Sequence, residues 1–222
     1  MILALDTASR FVSLALHDGE RVVAEHTWHT QDNHTVELAP ALQRMLSDAR
    51  LAPHELAGIC VAIGPGSFTG LRIGLALAKG LALAHGTPLF GVPTLDALAY
   101  AQPARPERMV ALLQAGRGRI AIVAYYHRDG AWRPEGGPRV TEWAALAAET
   151  TAPTIFCGEI DPVGAAALRK LKRIAIVPSP ATALRRAAYL AELAWARLRR
   201  GSPDDPATLS PIYLTYPETA PA

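Results

Sequence analysis

The chain has 222 residues, of which 50% are hydrophobic and 19% charged, and its formal net charge is +2 at pH 7. This composition is typical of a globular protein with one large or two small domains, and it excludes a strongly basic nucleic-acid-binding chain. Apolar runs stay below the ~18 residues of a membrane helix, and the N-terminus lacks the basic start of a signal peptide. Cys60 and Cys157 lie in apolar runs, which favours buried thiols in a reducing compartment, so we predict a cytoplasmic protein.

The chain opens with a predicted β-meander. Apolar or alternating runs predict strands over residues 2–5, 11–16 and 21–28, and Asp18-Gly19 marks a hairpin turn between the last two. A helix follows over residues 35–50, where apolar residues recur at helical spacing. Pro40 inside this helix indicates either a later start or a kink.

Three histidines near the meander invite interpretation as a metal site. His26 and His29 are an odd number of residues apart, so on one continuous strand they point to opposite faces. We therefore favour exposed strand and loop histidines over a metal ion shared with His34.

The stretch from Gly58 to Gly86 dominates the sequence. Residues 58–63 form a continuous apolar run typical of a strand covered on both faces, and residues 70–84 predict a helix with almost no charge. Its small residues recur every four positions on two faces: Gly70, Gly74 and Ala78 on one, Ala76, Gly80 and Ala84 on the other. Glycine costs a helix roughly 1 kcal/mol relative to alanine, and close packing against a second backbone could offset that cost.

The loop between this strand and helix reads Gly64-Pro-Gly-Ser-Phe-Thr-Gly70. Glycines before a helix N-terminus can admit a phosphate group, but the spacing matches neither the P-loop nor the dinucleotide-binding motif. We therefore favour a tight turn whose helix is capped by Ser67 or Thr69.

After this stretch, we predict a strand over residues 87–92 and a helix that is capped by Thr94 and runs to residue 101. Residues 102–107 are polar, contain two prolines and resemble a linker. Beyond it, the predicted elements are strands over 109–113 and 120–127, a broken strand over 132–140, a helix over 141–149, a strand over 154–157, a helix over 162–171, a strand over 174–177 and a helix over 181–199. The arginines of the last helix are expected mostly in solvent: Arg185, Arg186, Arg197, Arg199 and Arg200.

Both halves open with antiparallel strands and continue as alternating helices and strands. This duplicated βββαβα plan is the layout of the α/β, actin-like (ASKHA, hexokinase-like) fold with two lobes. We predict an N-terminal lobe over residues 1–102 and a C-terminal lobe over 103–222, with the last helix and tail able to pack back on the first lobe. Such a fold does not by itself define an activity.

Three segments together resemble one family: Asp6-Thr7 after the first strand, Asn33-His34-Thr35, and the motif Gly64-Pro-Gly-Ser-Phe-Thr-Gly-Leu-Arg-Ile-Gly74. The sequence is similar to the bacterial TsaB (YeaZ) family, which takes part in making N6-threonylcarbamoyladenosine at position 37 of tRNAs that read ANN codons. The resemblance implies a subunit with no catalytic residue and no activity of its own.

The resemblance also implies partners. A TsaD-type catalytic subunit would carry the metal, a TsaE-type ATPase would join the complex, tRNA would be held indirectly, and the isolated chain could form a homodimer. No cofactor is expected on this chain, because ATP and a metal belong to the assembled complex. The catalytic relative holds its metal with two histidines, and the corresponding places here are Thr94 and Leu98, neither of which supplies a nitrogen ligand.

A partner interface is expected on the helices over residues 35–50 and 70–84, which would form a bundle with the same helices of a partner. The expected contact residues are His34, Leu38, Leu42, Met45, Gly70, Arg72, Ile73, Gly74, Leu77 and Ala78. The alternative is that both small-residue faces are buried within the chain itself.

Two enzyme classes are the alternative functions. In an actin-like ATP-binding metabolite kinase, Asp6 would coordinate magnesium and Thr7, Gly64 and Gly66 would contact nucleotide phosphates, although Thr7-Ala8 replaces the usual glycine. A metalloprotease-like hydrolase would need a metal and a water-activating base, and no His-Glu-x-x-His motif occurs in the sequence.

Overall fold

Two units make up the part of the chain that the structure describes. The computed structural model describes residues 1–31 and 33–214. The first unit holds Met1–Ala97 and Arg185–Ile212, and the second holds residues 98–184 with residues 213 and 214. The boundary between the units lies after residue 97, compared with the predicted domain boundary at residue 102, and the last helix packs with the first unit.

The first unit is built on a five-stranded mixed sheet in the order β3-β2-β1-β4-β5. The first three strands form the predicted antiparallel meander, and β4 and β5 run parallel to β1. The bounds of the strands are β1 Ile2–Asp6, β2 Phe11–His17, β3 Val22–His29, β4 Gly58–Ala62 and β5 Leu89–Val92.

Helices cover both faces of this sheet. The bounds of the helices along the chain are α1 His34–Asp48, α2 Phe68–His85, α3 Thr94–Tyr100, α4 Trp143–Glu149, α5 Pro162–Lys170 and α6 Ala187–Leu198. Apolar side chains of α1 and α2 pack on one face of the first sheet, and alanines and leucines of α6 pack on the other. Within the described residues, none of these helices combines the length and hydropathy that a bilayer span requires.

Local signals explain the ends of α2. The Ser67 side chain caps the helix by accepting a hydrogen bond from the Gly70 N–H, as one of the two predicted caps. Gly86 ends it with a φ of 65°, in the left-handed region that glycine adopts readily. In α1, the helix begins at His34 and continues through Pro40, so the predicted later start is wrong.

The second unit contains a six-stranded sheet with β11-β10-β6-β7-β8 in order and β9 paired to β7. Its strands are β6 Arg108–Gly116, β7 Arg119–Arg128, β8 Ala131–Pro134, β9 Arg139–Glu142, β10 Thr154–Gly158 and β11 Ala175–Ile176. Helices α4 and α5 pack on one face through Trp143, Leu146 and Leu168. The predicted broken strand is therefore two strands, which pair with the two ends of the long β7.

Two predicted helix starts are corrected by side-chain and backbone contacts. Thr94 is the first residue of α3 rather than its N-cap, and its Oγ1 accepts a hydrogen bond from the Gly64 N–H. The last helix starts at Ala187 rather than at residue 181, because its first N–H groups are bound by the sheet. The Ala187 N–H donates to Ser13 Oγ and the Ala188 N–H to Glu25 Oε1.

Both cysteines are buried and free, as predicted. Burial raises the pKa of both thiols, to about 12 for Cys157. They are therefore inert apolar side chains at neutral pH.

A segment after α6 closes the β5 edge of the first sheet. The Asp204 N–H donates to the Leu89 carbonyl, and the Ile212 N–H donates to the Ile63 carbonyl. The Asp204 carboxylate accepts hydrogen bonds from the Gly91 N–H at 2.7 Å and from the Arg197 guanidinium at 2.8 and 3.0 Å. Burial raises the pKa of Asp204, but the bonds from Arg197 and Gly91 outweigh burial and hold it below its ordinary value.

We expect Asp204→Asn to lower the free energy of unfolding by about 1–3 kcal/mol at pH 7, because it removes charge-assisted hydrogen bonds. A carboxylate with a lowered folded-state pKa stabilises the protein above its ordinary pKa and loses that contribution as the pH falls. The difference in free energy of unfolding between wild type and variant should therefore be smaller at about pH 3 than at about pH 5. Urea unfolding at these two pH values measures this difference, and an equal difference at both would contradict the prediction.

Candidate functional site

The three segments that carry the family resemblance meet at the turn after β1. Thr7 Oγ1 donates to the Gly70 carbonyl at 2.7 Å, and the Ser67 N–H donates to the Ala8 carbonyl at 2.6 Å. His34 Nε2, on the first turn of α1, lies 3.0 Å from the Ser9 carbonyl. Residues 6–9, the start of α1 and the glycine loop are therefore joined by hydrogen bonds into one cluster, which we call the motif cluster.

The glycines of the motif make room for this turn. A Cβ on Gly70 would overlap the Thr7 carbonyl, and one on Gly74 would overlap Thr7 Oγ1. A Cβ on Gly66 would likewise run into Ala8. The regular spacing of these glycines thus follows from close packing of β1 and its turn against the loop and α2.

A buried ion pair completes the motif cluster. Arg185 Nε donates to Asp6 Oδ2 at 2.9 Å, and both side chains are nearly inaccessible, at 3% and 2%. Asp6 Oδ1 accepts the Ala8 N–H at 2.9 Å, so both carboxylate oxygens are engaged within the unit. Arg185 Nη2 also donates to Ser9 Oγ at 2.7 Å. The prediction that Arg185 lies in solvent is therefore wrong.

Sequence reasoning missed Arg185 because it stands 179 positions from Asp6. The neighbouring arginines also contact carboxylates: Arg186 pairs with Glu25 and Arg197 with Asp204. The one available signal was Asp6 at the end of an apolar strand, because a buried carboxylate needs a partner.

The outer face of α2 is exposed and combines apolar residues with the cations Arg72 and Lys79. Phe68 is 53% exposed and Leu83 71% exposed, and Ala76, Gly80 and Ala84 also face outward. A Cβ on Gly80 would meet nothing within 4 Å. The Arg72 guanidinium lies 3.7 Å from the centre of the Phe68 ring, which keeps this cation on the same face.

A shallow groove of about 330 Å³ adjoins this helix. Its walls come from Ala39 and Leu46 of α1, Leu51 in the turn after α1, and Leu81 of α2. On α1, Val36 is 68% exposed. We call the exposed residues of α2 together with this groove the α2 surface.

The structure separates the predicted interface residues into two sets. The larger set lies in the interior of the first unit: His34, Leu38, Leu42, Met45, Gly70, Gly74 and Ala78. Arg72 is exposed, and Ile73 and Leu77 are half-buried. A charge placed at Gly74 or Ala78 would disrupt the unit itself, because both residues pack against its interior.

The predicted nucleotide contacts all lie at the motif cluster or beside it. Asp6 and Thr7 are buried and bonded as described, Gly66 touches Ala8, and the Gly64 N–H donates to Thr94 Oγ1. Leu98 is also buried, at 1% exposure.

The clustered histidines have separate neighbours. His26 stacks on Trp28 with ring centres 4.7 Å apart, and His29 meets the edge of Phe11 at 5.0 Å. Over residues 1–31 and 33–214, no three His, Cys, Asp or Glu side chains are grouped to hold a metal ion.

Comparison with known proteins identifies the family of this chain. The family model for TsaD, tRNA N6-adenosine threonylcarbamoyltransferase, matches residues 22–219. The Bacillus subtilis tRNA threonylcarbamoyladenosine biosynthesis protein TsaB is 33% identical over 160 residues, which cover 71% of this chain and 70% of that protein. The chain belongs to the TsaB (YeaZ) family. It also falls within the wider family that the TsaD model describes.

Further relatives agree with this assignment. The Escherichia coli protein named TsaB is 36% identical over 139 residues, which cover 60% of this chain and 59% of that protein. The solved structure of YeaZ from Pseudomonas aeruginosa has a TM-score of 0.78 at 28% identity and covers 96% of this chain and 99% of that one.

A more distant structure shows the fold alone. Component A of (R)-2-hydroxyglutaryl-CoA dehydratase from Acidaminococcus fermentans has a TM-score of 0.52 at 11% identity. Together with the two sheets and the TsaB relatives, it confirms the predicted actin-like α/β fold class.

Two glycines of α2 test the packing argument as a matched pair. We expect Gly74→Ala to lower the free energy of unfolding by about 1–3 kcal/mol, because its methyl group overlaps Thr7. Gly80→Ala should raise it by about 0.5–1 kcal/mol, because alanine favours an exposed helical site. Urea unfolding of the isolated chain measures both, and equal effects would contradict the assignment of the two faces.

Replacing Arg185 should destabilise the protein far more than replacing Arg186. We expect Arg185→Met to lower the free energy of unfolding by about 3–5 kcal/mol, because Asp6 is left buried without its partner. Arg186→Met breaks a more exposed pair and should cost less than about 1 kcal/mol.

The double variant Asp6→Asn/Arg185→Met should regain part of the lost free energy of unfolding, because it no longer buries an unpaired charge. The double-mutant cycle measured by urea unfolding gives the coupling. Additive losses would show that the pair is not coupled.

Proposed function

We propose that this chain is the non-catalytic TsaB-type subunit of the machinery that makes N6-threonylcarbamoyladenosine in tRNA, and that it binds a TsaD-type catalytic subunit through the α2 surface. The observation that carries this proposal is the exposed apolar face of α2 in a chain that belongs to the TsaB family.

The α2 surface has the properties of a helix-docking face. Isolated exposed apolar residues are ordinary, but a contiguous apolar patch marks an interaction site. Here Phe68, Leu83 and the small residues between them lie on one side of an 18-residue helix, together with Arg72 and Lys79. Gly80 and Ala76 lack bulk, so a partner helix can approach at the short end of the usual 8–10 Å separation.

Stable pairing in the proposed complex needs two helices on each side. The groove beside α2 offers the second element, because α1 lines it with Ala39 and Leu46. A partner side chain entering this groove would be shielded from water. We infer that α1 and α2 form a four-helix contact with the corresponding helices of the partner, and that a second copy of this chain uses the same surface when the partner is absent.

The motif cluster favours this role over the kinase alternative. For Asp6 to coordinate magnesium, Arg185 would have to leave, and a buried guanidinium would lose its charge partner. Thr7 Oγ1 is likewise engaged by Gly70. In the proposed complex, the metal and ATP are therefore handled by the TsaD-type and TsaE-type subunits, and tRNA is positioned mainly by the catalytic subunit.

Charges on the α2 surface should separate binding from folding. We expect Gly80→Arg or Leu83→Asp to weaken binding to the TsaD-type subunit by more than about tenfold, because each buries a charge in an apolar contact. A Cβ on Gly80 would meet nothing within 4 Å and Leu83 is 71% exposed, so we expect both variants to fold. The measurement is size-exclusion chromatography of the co-expressed pair, followed by titration of the purified subunits.

Val163→Asp is the matched control, because Val163 is 66% exposed on helix α5 of the second unit. It should leave the complex unchanged. The rate of threonylcarbamoyl transfer to tRNA by the reconstituted complex should fall with binding for the α2 variants only. Complex formation at wild-type strength by Gly80→Arg and Leu83→Asp would end the proposal.

A further inference from the structure

Four cations lie close together at the end of helix α5 in the second unit. Arg169 and Lys170 end helix α5, and Lys172 and Arg173 lie in the 3-10 turn that follows it. All four side chains are exposed. We call them the basic segment.

Several arginines elsewhere in the chain are neutralised by a neighbouring carboxylate. Arg108, Arg139, Arg186 and Arg197 each pair with a carboxylate. The four residues of the basic segment form no ion pair with any side chain that the structure describes. The sequence contains no Asp or Glu between Asp161 and Glu192. The segment is therefore a local excess of positive charge that no described carboxylate neutralises.

Charge is also divided unevenly between the two units. Residues 98–184 contain eleven Lys and Arg against seven Asp and Glu, whereas residues 1–97 and 185–212 together contain eleven against twelve. The net charge of +2 for the whole chain thus hides a basic second unit. Without the basic segment the chain would be acidic, so these four residues set the sign of its charge.

Helix stabilisation explains only half of the basic segment. Cations in the last turn of a helix interact favourably with its dipole, which accounts for Arg169 and Lys170. Lys172 and Arg173 lie beyond the last turn. Lys172 also has a φ of 51°, in the left-handed region where glycine is the usual residue after a helix. A lysine at this position is less favourable for the backbone than glycine, and the helix dipole does not account for its charge.

The surface next to the basic segment suits a nucleic acid better than an acidic peptide. Two residues beyond Arg173, the edge strand β11 borders a groove of about 350 Å³. Its lining combines the apolar Ile155, Ile176 and Val177 with the exposed Arg105 and the hydroxyl of Ser179. Phosphates can lie against the cations while a flat base or a ribose lies against the apolar floor.

We propose that the basic segment binds the phosphate backbone of RNA and gives the second unit a direct contact with tRNA. The choice of tRNA among RNAs rests on the proposed function. An anionic membrane surface and an acidic protein are the competing occupants, and the experiment separates them.

The test uses the full chain in complex with the TsaD-type subunit and a fluorescent transcript of an ANN-reading tRNA. The Lys172→Gly/Arg173→Gln variant removes two cations from the basic segment. Each lost phosphate contact should reduce the magnitude of the negative slope of log K against log salt concentration by about 0.7–0.9. We therefore expect the slope of this variant to be smaller in magnitude by about 1–2, with several-fold weaker binding in low salt.

The matched control is Arg199→Gln/Arg200→Gln, which removes the same charge from exposed positions after α6 in the first unit. It should leave the slope unchanged. Lys172→Gly alone should raise Tm by about 2–4 °C, because glycine accepts the positive φ, while it still weakens RNA binding. A role confined to folding would instead change stability and leave RNA affinity as it was.

The remaining outcomes overturn the proposal. Equal salt slopes for the basic-segment variant and the control would do so. Loss of binding to phosphatidylserine vesicles or to polyglutamate, with unchanged tRNA binding, would assign the surface to a membrane or to an acidic protein. In each case, size-exclusion chromatography of the same variant with the TsaD-type subunit decides separately whether the proposed function stands.

Discussion

The packing of the turn after β1 against helix α2 determines how the first unit is assembled. Thr7 lies on α2 at the two places where glycine leaves space, and its hydroxyl is bonded to the helix backbone. The same turn holds His34 on one side and Arg185 on the other. The motif that identifies the family is therefore, in this chain, a set of residues that pack on one another within the first unit.

Helix α2 has two faces with different environments, and this explains its unusual composition. One small-residue face allows the β1 turn to approach, and the opposite one remains open to solvent with Gly80 and Leu83. The sequence showed both stripes but could not show which was enclosed, because helical periodicity gives spacing and not direction. The assignment requires the position of Thr7, which only the folded chain reveals.

Local patterns predicted most of the elements, and long-range contacts decided the rest. Alternation and glycine punctuation located the meander and α2, because strands and capped helices leave signals within a few residues. The start of α6 was misjudged because residues 181–186 are mostly good helix formers. There the chain forms a turn and a bend and becomes extended at Arg186. Arg185 reaches Asp6, while Ser13 and Glu25 bind the first N–H groups of the helix. No local rule predicts this.

The division of the first unit between the two ends of the chain affects the order of events during synthesis. Asp6 leaves the ribosome long before Arg185, with the whole of residues 98–184 between them. Until the late segment emerges, the aspartate must stay hydrated and one side of the early sheet has no α6 to cover it. Residues 98–184 are therefore synthesised before the first unit can finish folding. A nascent chain that stalls before residue 185 would expose apolar strands to chaperones and proteases.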